Sequence, residues 1–254
     1  KETYTNIEAP YSIPKKFIAQ INENKAIVID IDGKQVGKTY QSIDSRGEYL
    51  ETVLAGQKGI MDKNGIEILP NKYNSINDLD NNTFLVEDFM GNKFIVDSKN
   101  QKLTNTNYDE INIVYESGGY YGEPIAYIVS SKGKYGIINK DYKTVVPISK
   151  DAIEELSLDD KNVFKFETNK KCGIVDVSGK ELVKPIYNDI KIGLGKLIIV
   201  SKGGKPDEYG YITGEKFGVI DLTGKELLKI TYDEADSYGR EIVTFKNKDN
   251  NWFA

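Results

Sequence analysis

The sequence has no histidine, a single cysteine, two methionines and one tryptophan in 254 residues. Without imidazole there is no Ser-His-Asp or Cys-His triad and no histidine-containing zinc site. The lone Cys172 excludes an internal disulfide and a cysteine-built structural metal centre. The longest purely aliphatic run, residues 197–200, falls far short of the roughly 20 apolar residues that a membrane-spanning helix needs. A surplus of positive charge is also missing. The 34 Lys and Arg and 39 Asp and Glu are scattered through every segment, so no basic stripe offers itself to a phosphate backbone, and nucleic acid is not an expected partner. Nothing in the chain carries the signature of a cofactor site.

What the chain does have is repetition. Residues 170–190, KKCGIVDVSGKELVKPIYNDI, return at 215–235 as EKFGVIDLTGKELLKITYDEA. Taking the Asp of GIVD as an anchor, the same slot holds Asp30, Asp62, Asp97, Asn139, Asp176 and Asp221. Three residues before the anchor stands Gly59, Gly136, Gly173 or Gly218, and three after it Gly33, Gly65, Gly179 or Gly224. Tyr73, Tyr108, Tyr187 and Tyr232 follow at the eleventh position, with Tyr40 at the tenth. Anchor spacings of 32, 35, 42, 37 and 45 residues put the length changes in the connections, as in a repeat protein.

Each unit reads as a small β-meander. In Asp62-Lys-Asn-Gly65, an Asp can accept backbone N–H groups two residues on, while Gly supplies the positive φ that ends the turn. Short runs rich in β-formers flank it, such as 60–61 and 66–69. Pro70, Pro147 and Pro185 are expected to close the second strand of the hairpin, where a missing ladder donor does least damage. Further strands are predicted over 49–53, 83–87, 126–130, 163–167, 197–201 and 241–245, giving three or four per unit. One or two helical turns are predicted over 149–156. Meanders of this size are marginal alone, so stability is expected from stacking unit on unit.

These residues resemble the bacterial WG (KWG) repeats. Their units run aromatic, Gly, two aliphatics, Asp, two variable positions, Gly-Lys, and then a strand ending in Pro and Tyr-Asp. The likeness covers residues 24 to the C-terminus. Lys58, Tyr135, Cys172 and Phe217 replace the Trp of the family name, Phe94 stands in one Gly slot, and Tyr142 occupies one turn slot. The resemblance implies repeated β-structure and interaction roles with no shared chemistry.

The expected fold is therefore all-β. It is read as one repeat domain over 1–254 made of six tandem meanders, with a partial seventh at 236–254. A propeller-like ring is favoured slightly over an open, solenoid-like array.

Anchor carboxylates repeated in one turn read as hairpin elements rather than an acid and base pair, and the recurrent tyrosines read as core. Cys172, in the aromatic slot and with no imidazole in the chain to activate it, reads as a packed side chain. Asp78, Asp80 and Asn82 match the first three ligands of a calcium loop, but Thr83 and Phe89 stand where Gly and Glu belong, so no metal is expected. The acidic cluster Glu154, Glu155, Asp159 and Asp160 reads as a solvated face.

Two insertions break the period, 117–124 and 203–211, and carry the candidate binding residues Tyr120, Tyr121, Glu123, Tyr209 and Tyr211. They fall at opposite ends of a meander and so are not expected to form one pocket. The sequence thus points to a non-enzymatic binding or scaffold protein for a protein, peptide or glycan ligand. A carboxylate-dependent glycan-cleaving enzyme and a purely structural assembly subunit stand as alternatives. A start at Lys1 rather than Met, with much Lys, Asn, Ile and Tyr, suits a secreted or envelope-attached bacterial protein, with a cytoplasmic location as the alternative.

Overall fold

A computed structural model describes residues 3–10, 14–79, 81–116, 122–158, 161–193, 197–209, 211–238, 242–249 and 251–253. The chain forms two compact units, Lys1–Asp109 and Glu110–Ala254. Among the described residues there is no helix, and all regular structure is strand, arranged in open antiparallel meanders.

Among the described residues, the first unit holds three sheets. Sheet A is β1 (Asn6–Glu8), β2 (Lys16–Asn22), β3 (Lys25–Asp30) and β4 (Gln35–Tyr40). Sheet B is β5 (Ser42–Arg46), β6 (Tyr49–Leu54), β7 (Gln57–Met61) and β8 (Glu67–Tyr73). Sheet C is β9 (Ser75–Asp78), β10 (Thr83–Glu87) and β11 (Lys93–Asp97), its fourth position reduced to the bridges Lys93↔Tyr108 and Val96↔Lys102.

Among the described residues, the second unit holds four sheets. Sheet D is β12 (Glu110–Val114), β13 (Ala126–Ser131), β14 (Lys134–Asn139) and β15 (Thr144–Lys150). Sheet E is β16 (Ala152–Leu158), β17 (Lys161–Thr168), β18 (Lys171–Asp176) and β19 (Glu181–Tyr187). Sheet F is β20 (Asp189–Ile192), β21 (Ile198–Pro206), β22 (Ile212–Ile220) and β23 (Glu226–Tyr232). Sheet G is β24 (Glu234–Tyr238), β25 (Ile242–Lys246) and β26 (Trp252–Phe253).

The anchor works as the turn chemistry demands. Asp62 N–H donates to the Ile66 carbonyl at 2.8 Å and Gly65 N–H to the Asp62 carbonyl at 2.9 Å. One Asp62 oxygen accepts the N–H groups of Asn64 and Ile66, both at 2.8 Å. Asp30, Asp97, Asn139, Asp176 and Asp221 repeat this arrangement. The residue three beyond takes positive φ whether or not it is glycine: Gly65 has φ 83°, and Tyr142 holds 62°. Left-handed backbone is costly for a residue with a Cβ. At Tyr142 the ring packs on Tyr127 at 5.8 Å between centroids, which offsets part of that cost.

The glycine before the anchor has a different reason. Cys172 pairs with Tyr187 and Ile174 with Val183, so β19 carries two more residues than β18 over that stretch and bulges toward it. A Cβ on Gly173 would sit 2.6 Å from the Val183 carbonyl oxygen and 2.7 Å from the Phe166 ring. The same shift occurs in β8 and β15. Pro70, Pro147 and Pro185 sit inside these bulges, so the strands run on through them to Tyr73, Lys150 and Tyr187 rather than ending there. A bulged residue has no ladder donor to lose, which corrects the expectation that proline closes the strand.

A second correction concerns 149–156. Here β15 runs to Lys150 and β16 spans Ala152–Leu158, every residue of β16 being paired with β17. Leu156 and Leu158 are buried against sheet F, and that burial overrides the helical leaning of Ala-Ile-Glu-Glu-Leu. Glu154 pairs with Lys165 at 3.1 Å and Glu155 accepts Asn162 Nδ2 at 2.9 Å; Asp159 and Asp160 lie outside the described residues.

Sheets pack on their neighbours through aliphatic faces. Tyr40 with Ile18, Ala26 and Val28 of sheet A meets Ile43, Leu50 and Met61 of sheet B. Tyr73 with Ile60 and Leu69 meets Ile76, Phe84, Val86 and Val96 of sheet C. In the second unit, Tyr187, Cys172, Ile174 and Val183 meet Ile190, Ile198, Val200 and Ile220. The buried Tyr73 hydroxyl donates to the Asn100 side chain, and burial pushes its pKa up to about 12. Tyr232 is the half-buried member of the series, its ring 5.2 Å from that of Phe245.

The two glycine slots should respond differently to a methyl group. Gly173→Ala forces backbone and ring apart and is expected to cost about 1–3 kcal/mol. Gly224→Ala, with φ 79° and open space around it, should cost about 1 kcal/mol of backbone strain. Urea unfolding of both variants measures this, and a Gly173→Ala midpoint equal to wild type would refute the close-approach account.

Candidate interaction hairpin

Sheet D turns from β13 to β14 with two residues, Lys132 and Gly133, after the pair Ser131↔Lys134. At the same register in sheet F, the pair Lys202↔Lys216 does not turn. Pairing continues through Gly203↔Glu215 and Lys205↔Thr213 to Pro206↔Ile212. The insertion expected to be a loop is therefore mostly ladder, and sheet F carries a hairpin that projects beyond its fellow strands. Alternation of residues through Lys205 and Thr213 lets the backbone satisfy itself, which an irregular glycine-rich loop would not.

The tip is closed by the anchor chemistry once more. Asp207 N–H donates to the Tyr211 carbonyl at 2.8 Å, and an Asp207 oxygen accepts the N–H groups of Tyr209 at 2.9 Å and Tyr211 at 2.8 Å. This fixes where the two rings leave the backbone. Tyr209 is 78% exposed, Tyr211 72% and Ile212 44%. The hairpin base is held by Asn188, whose Nδ2 donates to the Gly203 carbonyl at 2.6 Å and to Glu215 Oε1 at 2.7 Å, and by Ser201 Oγ, which donates to Glu215 at 3.0 Å. A braced stem thus presents an amphipathic aromatic tip, and ordering two such rings costs little rotamer entropy on binding.

The other expected binding residues are not gathered here. Tyr120 and Tyr121 lie outside the described residues; Glu123 is exposed just before β13. The β12–β13 and β21–β22 connections leave opposite ends of their own meanders. A groove of about 830 Å³ runs beside the turns of sheets D, E and F, lined by Asn139, Asp176, Ser178, Asn162, Leu182 and Leu222. The Asp176 carboxylate within it is engaged by its own turn, accepting Ser178 N–H at 2.9 Å, Ser178 Oγ at 2.6 Å and Lys180 N–H at 3.0 Å. It works as a turn clasp.

One exposed feature escaped the sequence reading. Asp88 clasps the β10–β11 turn through Met90 and Asn92 N–H groups at 2.8 and 2.9 Å, leaving Phe89 and Met90 outside, Met90 at 87% exposure. The Asp-x-x-Gly spacing of Asp88 and Gly91 matches the anchors and was the available signal. Among the described residues no three His, Cys, Asp or Glu side chains are placed to hold a metal. Nor is any helix among them long and apolar enough to cross a membrane.

No protein-family model matches the chain, and no curated protein matches it. Similar solved structures include BamB from Moraxella catarrhalis, at 14% identity and TM-score 0.32 over 93% of this chain and 77% of that one. Hsv2p from Kluyveromyces lactis aligns at 9% identity and TM-score 0.32 over 96% and 90%. The dihydro-heme d1 dehydrogenase NirN aligns at 11% and 0.33 over 96% and 61%. At these values the likeness transfers no property to this chain.

Cys172 is the one thiol, and it is buried under Tyr187 and Ile190 with Sγ 3.6 Å from the Asn188 carbonyl. Burial pushes its pKa up to about 11. The thiol form is thus favoured by folding, a contribution present in full below the ordinary thiol pKa and lost as pH climbs through about 11. Iodoacetamide at pH 8 should label Cys172 at least roughly 100-fold more slowly in the native protein than in 8 M urea, because attack requires an exposed thiolate. Comparable rates would show that the sheet E–sheet F core is open.

Proposed function

We propose that this is a non-enzymatic binding or scaffold repeat protein that engages a protein or peptide surface through the β21–β22 hairpin. The observation that carries this reading is the hairpin itself: a ladder extended past its register, braced at its base by Asn188 and Glu215, ending in the exposed Tyr209, Tyr211 and Ile212. Recurrent residues of the meander are occupied in turns and cores and leave little for chemistry. The resemblance to WG repeats supports an interaction role for the same reason, since such repeats imply a common β-grammar and no common reaction.

A peptide and glycan array probed with the labelled protein tests the proposal. Wild type should retain peptide spots, and the Tyr209→Ser/Tyr211→Ser double variant should lose at least roughly 10-fold of that signal, the scale of losing about 1.4 kcal/mol of contact. Its melting temperature should stay within about 1 °C of wild type, because surface substitutions away from packed features are nearly neutral. Unchanged peptide capture by the double variant would remove the hairpin from consideration, and release of cleaved glycan would replace binding by catalysis.

A further inference from the structure

Strand register allows one position to be compared across six sheets. The residue on the second strand that faces the position just after the glycine slot is Ile18, Glu51, Leu85, Ile128, Lys165 and Ile199. Four are aliphatic and two are charged. Lys165 is engaged on all sides, with Glu154 at 3.1 Å, Asp189 at 3.4 Å and the Ile190 carbonyl at 3.4 Å. Burial works against its charge, yet Glu154 and Asp189 hold its pKa above the ordinary lysine value. Its partners come from the sheets it joins, and it acts as an ionic clasp in place of an aliphatic contact.

Glu51 is different. It is 5% exposed, with Lys58 at 3.1 Å and Arg46 at 3.9 Å, and it opens onto a cavity of about 440 Å³ between sheets B and C. That volume lies within the range of small-ligand sites. The walls bring together Arg46, Tyr49, Glu51, Lys58, Ser75 and Asn77. Tyr49 is held as a fixed wall, its hydroxyl donating to Asn82 Oδ1 at 2.7 Å and its ring 5.3 Å from Phe84 at 68°. Lys58 occupies a variable slot, held by Ala26, Lys93, Tyr135, Cys172 and Phe217 in the other sheets, so the unusual charge of Glu51 meets its partner at one cavity.

A buried ion pair is weak evidence for stability, since apolar residues of similar volume are often neutral or better in its place. The pair here is therefore read for what it offers the cavity. Arg46 and Lys58 are matched in number by Glu51 and Asp78 at the wall, so the lining carries no net charge to favour an ion of one sign. It offers donors and acceptors side by side next to an aromatic wall. Hydroxyl groups, each of which donates and accepts, meet that pattern without breaking the Glu51–Lys58 pair, and the C–H face of a pyranose suits the Tyr49 ring.

The geometry points to a binding site for a neutral monosaccharide in the cavity between sheets B and C, with Glu51 and Arg46 as polar contacts and Tyr49 as the stacking wall. This goes beyond the hairpin reading and uses none of its residues. Saturation-transfer NMR with glucose, galactose, mannose and N-acetylglucosamine as probes tests it on the full chain. At least one sugar should show transfer with wild type and with Tyr209→Ser/Tyr211→Ser. Arg46→Ala, at the exposed rim, should weaken that binding at least 5-fold with an unchanged melting temperature. Glu51→Leu/Lys58→Tyr, which restores residues the other sheets use, should melt at or above wild type and show no transfer. Transfer from none of the sugars, transfer that persists in the Glu51→Leu/Lys58→Tyr variant, or transfer that is lost with the tyrosines of the hairpin would each overturn the assignment.

Discussion

A three- or four-stranded meander has two faces and can bury neither by itself, and this constraint shapes each unit of the chain. In sheet B one face turns Leu50 toward Tyr40 and Val28 of sheet A, and the other turns Ile60 and Tyr73 toward Phe84 and Val86 of sheet C. In sheet E, Phe164 and Phe166 reach back to Val114 and Ile137 while Cys172 and Tyr187 reach forward to Ile198. Burial on both sides explains why these short strands read as continuous apolar runs rather than alternating ones.

The bulge in the fourth strand follows from the same packing. Two extra residues between Leu69 and Tyr73 carry the tyrosine round to the next sheet, and Gly59 leaves room for their close backbone approach. In sheets B and E the glycine gives the bulge room, the proline sits where no donor is required, and the tyrosine is delivered to the core; sheet A makes the same bulge with Ile27 in the glycine slot and no proline, and still buries Tyr40. The fourth strand of sheet C is reduced to two bridges, Lys93↔Tyr108 and Val96↔Lys102.

With the lattice built this way, the two features proposed for binding are departures from it. The β21–β22 hairpin departs by length, extending a ladder that sheets A, B, D and E end in a two-residue turn. Glu51 departs by charge in a slot that is otherwise mostly aliphatic. One lies at an exposed tip and the other under a sheet face, and they offer different chemistries, aromatic contact area in the first and paired polar groups in the second.

Much of the fold was legible in the sequence because its signals act over a few residues. An Asp bonding N–H groups two and four positions on, and a residue of positive φ at the third, need no distant partner, so the anchors, the hairpins and most strands could be placed by reading alone. The turns at Asp88 and Asp207 carry similar chemistry and were legible too, though hidden by their position outside the main period. Whether Ala-Ile-Glu-Glu-Leu became helix or strand, whether Pro185 ended a strand or sat in its bulge, and where Glu51 opened onto a cavity were decided only by tertiary structure. Those outcomes depend on which face meets a sheet some tens of residues away, and burial against such a neighbour outweighs the small local preferences that a sequence displays.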